Sequence, residues 1–193
     1  MIKRVLVADG DILVTSPAQR GFGAFKEVHP FFTADVTEGL RQLSDAVLPR
    51  EEPGCPRLYG AVIECLWPDA VEPSLGELDV MGLSSDDVQA YRAIHERGQE
   101  LYRSSPPLGL LLAMRAARLR APVVLTVYPT SRLSAEEQMM PVLEYAAARG
   151  WKCYAPGKAD KTSVDFWKKC ITRFDNKWME RGVVEVGETA ASP

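Results

Sequence analysis

Acidic and hydroxyl side chains stand directly after several apolar runs of this sequence. Asp9 and Asp11 follow the run Val5–Ala8, and Glu64 and Thr126 close two later runs. If the carboxylates of Asp9, Asp11 and Glu64 meet at one place, they could hold a hard divalent cation such as Mg²⁺, because oxygen ligands match it. The alternative is that Asp9 and Asp11 only cap a turn and a helix.

Lysine and cysteine residues also stand at or after the ends of apolar runs. The segment Pro156–Lys161, which includes Lys158, comes after the last apolar run, and Cys65 competes with Glu64 for the end of its run. Ligands and chemistry in open α/β sheets gather beyond the carboxyl ends of the strands. The candidate catalytic residues are therefore Asp9, Asp11, Glu64, Thr126 and Lys158.

Five short apolar segments alternate with helical patterns along the chain. They predict strands at about 5–8, 28–33, 58–66, 122–128 and 151–155. Ser84 and Asp87 hold capping-box spacing at the start of one helix, and Thr162 or Ser163 caps the last one. The connections are long enough for crossovers, so the sequence predicts a five-stranded doubly wound parallel sheet, flavodoxin-like in kind.

A helical insertion is predicted between the third and fourth strands, at about 68–105. The chain is therefore expected to form one domain over residues 1–178, followed by a flexible tail over 179–193. The insertion is a candidate partner surface through three aromatic residues, Trp67, Tyr91 and Tyr102. The alternative is that these residues belong to the core, as aromatic residues at helical spacing more often do. The helix after it ends in a basic cluster of Arg115, Arg118 and Arg120. Cations there favour the helix dipole, with an anion site as the alternative.

Composition is that of an ordinary globular protein. The 193 residues are 46% hydrophobic and 25% charged, which argues against disordered and fibrous classes. A net charge of −3 without a long basic run gives no indication of binding to nucleic acid or to an anionic membrane.

The first residues lack a signal-peptide core and no apolar stretch approaches the ~20 residues of a membrane span, so a cytoplasmic location is expected. Four cysteines without a C-x-x-C pair suggest neither a zinc site nor a disulfide framework.

The sequence resembles the receiver domain of bacterial response regulators. The resemblance covers roughly residues 1–70 and 120–175. It rests on the segments Val5–Asp11, Thr33–Leu40, Val62–Pro68, Ala121–Thr126 and Gly150–Phe174. It implies a receiver-like fold, a place in signal transduction and a protein partner.

The acidic positions of that family are met only in part. Its acidic pair falls on Asp9 and Gly10, so one metal-binding carboxylate is missing unless Asp11 replaces it. Its phosphoacceptor aspartate falls on Glu64 when counted back from the downstream proline. Counted forward from the upstream glycine, the same position falls on Cys65.

The other active-site positions of the family are displaced by one residue. Its switch hydroxyl aligns with Val127, one place beyond Thr126, and its lysine aligns with Gly157, one place before Lys158. The resemblance therefore implies a pseudo-receiver, in which the scaffold is kept and phosphoryl transfer is lost. Such a chain is a regulatory or scaffolding module that acts through protein–protein interaction, not an enzyme, and Mg²⁺ is the one cofactor considered.

Glutamate at the phosphoacceptor position has a physical consequence. Its side chain is one methylene longer than that of aspartate, which moves the carboxylate about 1.5 Å further out. That is close to where an aspartyl phosphate would place its charge, so Glu64 could mimic the phosphorylated state. The other interpretation is a simple polar strand end. Glu64→Gln is expected to alter partner binding more than stability.

Two enzyme classes remain as alternatives. Asp9 and Asp11 have the D-x-D spacing of haloacid dehalogenase-like phosphatases, where the first aspartate is a nucleophile and the second a general acid. The other places of such a site would go to Thr126 and to Lys158 or Lys161. Residues 106–126 resemble nucleoside deoxyribosyltransferases, but the helix over 108–120 contains no acidic nucleophile.

Overall fold

The structure, a computed structural model, describes residues 2–45, 58–67, 73–74, 78, 82–98, 106–126, 135–154 and 160–182. These residues contain five strands: β1 (Lys3–Ala8), β2 (Val28–Thr33), β3 (Gly60–Glu64), β4 (Val123–Thr126) and β5 (Lys152–Tyr154). All neighbouring strands pair in parallel, in the order β2-β1-β3-β4-β5. The predicted doubly wound sheet is confirmed, and its strand order is that of flavodoxin-like folds.

Six helices are described between and after these strands. They are α1 (Thr15–Gly23), α2 (Val36–Asp45), α3 (Ser85–Gly98), α4 (Gly109–Arg118), α5 (Ala135–Ala148) and α6 (Val164–Glu180). Two predicted caps form: Ser84 Oγ accepts from Asp87 N at 3.2 Å, and Ser163 Oγ accepts from Asp165 N at 3.3 Å. None of the helices in the described ranges is long and apolar enough to cross a membrane.

The two faces of the sheet are covered by different helices. Successive strand residues point to opposite faces, so Ile63 enters a core beneath α2, α3, α4 and α5, and Val62 enters a core beneath α1 and α6. Helices α1 and α6 meet closely, because a Cβ added to Gly21 would lie 2.4 Å from the Cβ of Trp167. A residue larger than glycine at that position would push the two helices apart.

The segment between β3 and β4 holds α3 and α4. Helix α4 packs on the sheet and against α2, and α3 packs against α4 and α5. Arg118 forms an ion pair with Asp87 of α3, and Arg115 Nη1 donates to Gly82 O at 3.2 Å. Arg118 therefore links α4 to α3, and Arg115 links α4 to the residues just before α3. This part of the basic cluster has a structural role.

Trp67 and Tyr91 follow the core alternative and not the partner-surface alternative. Trp67 is 3% exposed and Tyr91 is 1% exposed, and both belong to the core beneath α2 to α5. They therefore stabilise the fold instead of offering a partner surface. Tyr102, the third aromatic residue of that prediction, lies outside the described residues.

Helix α6 is longer than the sequence predicts. It ends at Glu180, with Arg181 as its C-cap residue, whereas the tail was predicted to begin at residue 179. Trp178 near its end is 4% exposed and anchors this last turn in the core. Residues 183–193, which make up most of the predicted tail, lie outside the described part of the chain.

Candidate functional site

Three of the candidate residues meet at the carboxyl edge of the sheet. The parallel register places Glu64 of β3 beside Thr126 of β4, and Ala8 of β1 beside Ile63 of β3. Asp9 follows Ala8 directly, so its side chain reaches the same edge as that of Glu64. The convergence predicted from the strand ends is present for Asp9, Glu64 and Thr126.

A lysine from the segment between β5 and α6 joins these residues. Lys161 Nζ donates to Asp9 Oδ2 at 2.6 Å and to Glu64 Oε2 at 2.6 Å. Thr126 Oγ1 lies 3.2 Å from the same Glu64 oxygen and donates to it. We call Asp9, Glu64, Thr126 and Lys161 the strand-end ion cluster.

The strand-end ion cluster is almost closed to water. The side chains of Lys161, Glu64 and Asp9 are 3%, 6% and 8% exposed. Burial alone would lower the pKa of Lys161, but the nearby Glu64 and Asp9 carboxylates more than offset it, so the pKa of Lys161 lies above its ordinary value. Two carboxylates face one ammonium group, and removing that group would leave buried charge without compensation.

Trp167 holds the main chain of Lys161 in place. The indole Nε1 of Trp167 donates to Lys161 O at 2.8 Å, and the whole Trp167 side chain is buried. Its ring packs edge to face on Phe22 of α1, with centroids 5.5 Å apart. The position of the ammonium group therefore depends on the contact between α1 and α6.

The backbone at the end of β3 is fixed just as firmly. Trp67 Nε1 donates to Glu64 O at 2.6 Å, and Gly109 N donates to Cys65 O at 3.1 Å. A Cβ added to Gly109 would lie 2.0 Å from Glu64 O, so only glycine lets α4 begin this close to the strand. The carboxylate of Glu64 thus extends from a backbone that has little freedom to shift.

Asp11 forms hydrogen bonds within the turn before α1 and is not part of the strand-end ion cluster. Its carboxylate Oδ1 accepts from Leu13 N at 2.9 Å, and its own N–H donates to Asp9 Oδ1 at 2.9 Å. The residue is exposed and serves the turn before α1, as the capping alternative states.

The three carboxylates predicted as metal ligands already accept hydrogen bonds from protein groups. The Lys161 ammonium already bridges Asp9 and Glu64, and the third carboxylate, that of Asp11, is committed to Leu13 N. Among the residues described here, no group of three His, Cys, Asp or Glu side chains is placed to hold a metal ion.

Glu64, not Cys65, occupies the strand-end position. Cys65 points to the opposite face of the sheet, where it is fully buried in the core beneath α2 to α5. Burial raises the pKa of the Cys65 thiol well above its ordinary value, so the thiol stays protonated. Cys153 and Cys170 are likewise free thiols.

The lysine of the cluster is Lys161, which the sequence offered only as an option for the phosphatase alternative. Lys158, the predicted candidate, lies outside the described residues. The signal that favours Lys161 is its place two residues before the Ser163 cap of α6, because a residue just before the helix remains at the carboxyl edge of the sheet.

The strand order defines a five-stranded doubly wound α/β domain of flavodoxin-like topology. Solved structures similar to the chain include a CheY-like response-regulator receiver domain from Methanospirillum hungatei, 14% identical over 93% of this chain and 99% of its own, with a TM-score of 0.47. The response regulator domain of Thermotoga maritima CheB is 11% identical over 96% and 100%, with a TM-score of 0.44. A de novo designed Rossmann 2x3 protein is 8% identical over 99% and 100%, with a TM-score of 0.44. No protein-family model and no curated protein matches the chain.

Proposed function

We propose that this chain is a receiver-like regulatory or scaffolding module that acts through protein–protein interaction and does not transfer phosphoryl groups. The observation that carries the proposal is the strand-end ion cluster. Glu64 stands where the receiver resemblance places the phosphoacceptor, and its carboxylate is buried against Lys161 and Thr126.

Phosphoryl transfer to a carboxylate needs an accessible nucleophile and concentrated positive charge around the transferred group. The Glu64 side chain is 6% exposed, and its Oε2 already accepts from the Lys161 ammonium. Gly10 supplies no second carboxylate beside Asp9, and Asp11 is engaged in the turn before α1. These features favour a site that is permanently closed to the reaction.

The same contacts support a module held in one state. Phosphorylation adds negative charge and oxygen acceptors to a protein, and partners respond to the segments that this charge orders. Here a carboxylate oxygen already sits between a hydroxyl group and an ammonium group, at 3.2 and 2.6 Å. We infer that the fixed charge of Glu64 substitutes for the added phosphoryl group.

A phosphodonor experiment tests the proposal. The full chain is incubated with acetyl phosphate and Mg²⁺, and its intact mass is measured with and without the donor. Wild type is expected to keep its mass. The matched variant Gly10→Asp/Glu64→Asp, which restores the acidic pair and the shorter acceptor, serves as the comparison. A stoichiometric gain of one phosphoryl group by wild type, abolished in Glu64→Gln, would overturn the proposal.

Neither enzyme alternative gains support. The Asp11 carboxylate, the general acid of a phosphatase, accepts from Leu13 N and lies outside the ion cluster. Helix α4, where a deoxyribosyltransferase would need its nucleophile, contains no acidic residue. A generic phosphatase assay covers the first alternative: turnover that Asp9→Asn abolishes would contradict the proposed function.

A further inference from the structure

A cavity of about 210 Å³ lies at the amino edge of the sheet, opposite the ion cluster. It forms where the start of β4 and the residues just before β5 meet the ends of α5 and α6. Its lining includes four cationic residues, Arg149, Arg173, Lys177 and Arg181, together with Trp151 and Val123. The lining residues that the structure describes include no carboxylate, although the whole chain carries a net charge of −3.

Two of the arginines contact neutral groups. Arg181 Nη1 donates to the carbonyl of Arg120, and its guanidinium lies 5.1 Å from the ring centroid of Trp178. Arg149 lies 4.9 Å from the ring centroid of Tyr145. Stacking on an aromatic ring holds a guanidinium in place without neutralising it, so both arginines keep their positive charge at the cavity.

Helix dipoles explain some of these cations but not Arg173. Arg149, Lys177 and Arg181 stand within the last turn of a helix or just beyond it, where partial negative charge favours cations. Arg173 lies about two turns before the end of α6, and the dipole effect is confined to the last turn. Among the described residues, no carboxylate forms a salt bridge with Arg173. The exposed Glu180 pairs with Lys177 instead, and Lys177 first and then Arg173 and Arg181 lower the pKa of that carboxyl. Neither the helix dipole nor a direct ion pair therefore accounts for the half-buried Arg173.

We propose that this cavity binds a small phosphorylated ligand with at least two negative charges, and that Arg173 is its central contact. A planar guanidinium matches the oxygens of a phosphate group in a two-point hydrogen bond. Lys177 Nζ already pairs with Glu180 Oε2 at 2.6 Å, so the uncompensated charge at the cavity is that of the three arginines. Three cations around one cavity repel each other, and a multivalent anion relieves that repulsion. Pockets for drug-sized ligands measure roughly 300–1,000 Å³, so this cavity suits a smaller ligand. The inference does not depend on the strand-end ion cluster.

Isothermal titration of the full chain with pyrophosphate tests the inference, with ionic strength matched by sodium chloride. Wild type is expected to show saturable one-site binding. Arg173→Gln should weaken that binding at least about tenfold, since hydrogen bonds to charged groups are strong. Arg20→Gln, which removes an exposed cation of α1 that does not line the cavity, is the control and should bind as wild type does.

Three results would overturn the inference: no saturable heat from wild type, equal affinity of wild type and Arg173→Gln, or equal weakening in Arg173→Gln and Arg20→Gln. The far-ultraviolet circular dichroism spectrum of each variant checks that it is folded. If Arg173→Gln does not fold, Arg149→Gln takes its place, because that side chain is exposed and lines the same cavity. The same comparison with Arg20→Gln then decides.

Discussion

Polar clusters stand at both edges of the sheet, and α6 is tied to both. At the carboxyl edge, Trp167 donates to Lys161 O at 2.8 Å beside the strand-end ion cluster. At the amino edge, Trp178 donates to Tyr59 O at 2.7 Å. The amino-edge cluster consists of Tyr59, Lys3 and Asp175, in which Tyr59 Oη and Lys3 Nζ both donate to Asp175 Oδ1. One helix therefore positions two charged networks.

The two clusters differ in their access to water. The charged side chains of the strand-end ion cluster are at most 8% exposed, whereas Lys3 is 12%, Asp175 is 29% and the nearby Glu27 is 54% exposed. Water and salt reach the amino-edge carboxylates, so they weaken the attraction there more than in the strand-end ion cluster. The strand-end charges lack that screening and depend on each other. Similar ion pairs therefore contribute little to stability at the more exposed edge, whereas the fold depends on them at the buried edge.

The largest expected effect comes from removing the central cation. Lys161→Met leaves the Asp9 and Glu64 carboxylates buried without a counter-charge, and breaking such a pair costs about 3–5 kcal/mol of unfolding free energy. Lys3→Met, at the hydrated edge, should cost about 1 kcal/mol or less. Urea unfolding of both variants measures the difference.

Glu64→Gln is the matched control for that prediction. It keeps the shape of the side chain and leaves Lys161 paired with Asp9, so it should cost clearly less than Lys161→Met. Equal losses for Lys161→Met and Lys3→Met would contradict the contrast between the two edges.

The rigidity of the strand-end site can be tested at Gly109. Gly109→Ala places a Cβ 2.0 Å from Glu64 O, and because the opposing atom is backbone, the strand or α4 must shift. Overpacking of this kind costs typically about 1–3 kcal/mol. Gly23→Ala is the control, since nothing lies within 4 Å of its added Cβ and alanine favours a helix. Thermal unfolding compares them, and a Gly109→Ala protein as stable as Gly23→Ala would contradict the assigned close approach.

The sheet and three of the four residues of the strand-end ion cluster could be predicted from the sequence, for a clear physical reason. Strands buried on both faces read as near-continuous apolar runs, which is why β3 and β4 were predicted close to their observed bounds. Parallel strands bring their ends to one edge, so Asp9, Glu64 and Thr126 were expected to meet.

The rest depends on packing between distant elements. The lysine was not determined by local pattern, because a hydrogen bond from Trp167 in α6 sets the position of Lys161. The sequence left the burial of Trp67 and Tyr91 open between two alternatives for the same reason: an amphipathic aromatic residue suits both a core and a contact surface until the position of α3 is known.

High pH should weaken both clusters. The pKa of Lys161 is raised above its ordinary value of 10.5, so its stabilising contribution is complete below that pH and is lost as the pH rises through the raised value. Burial and the Asp175 carboxylate raise the pKa of Tyr59 above its ordinary value of 10.0, with the same sign. The stability difference between wild type and Lys161→Met should therefore shrink above pH 10.5. Urea titrations between pH 8 and 11.5 measure it, and a difference that grows with pH would contradict the ion cluster.

Salt should separate the two edges by the smallest effect. At about 1 M sodium chloride the screening length falls to roughly 3 Å, which weakens exposed pairs far more than buried ones. The Lys3–Asp175 coupling, measured with Lys3→Met, Asp175→Asn and the double variant, is expected to fall from about 0.5 kcal/mol toward zero. The Lys161–Asp9 coupling from the matching cycle should change little, because both side chains are at most 8% exposed. If both couplings fall equally, water reaches the strand-end ion cluster and the contrast with the amino edge does not hold.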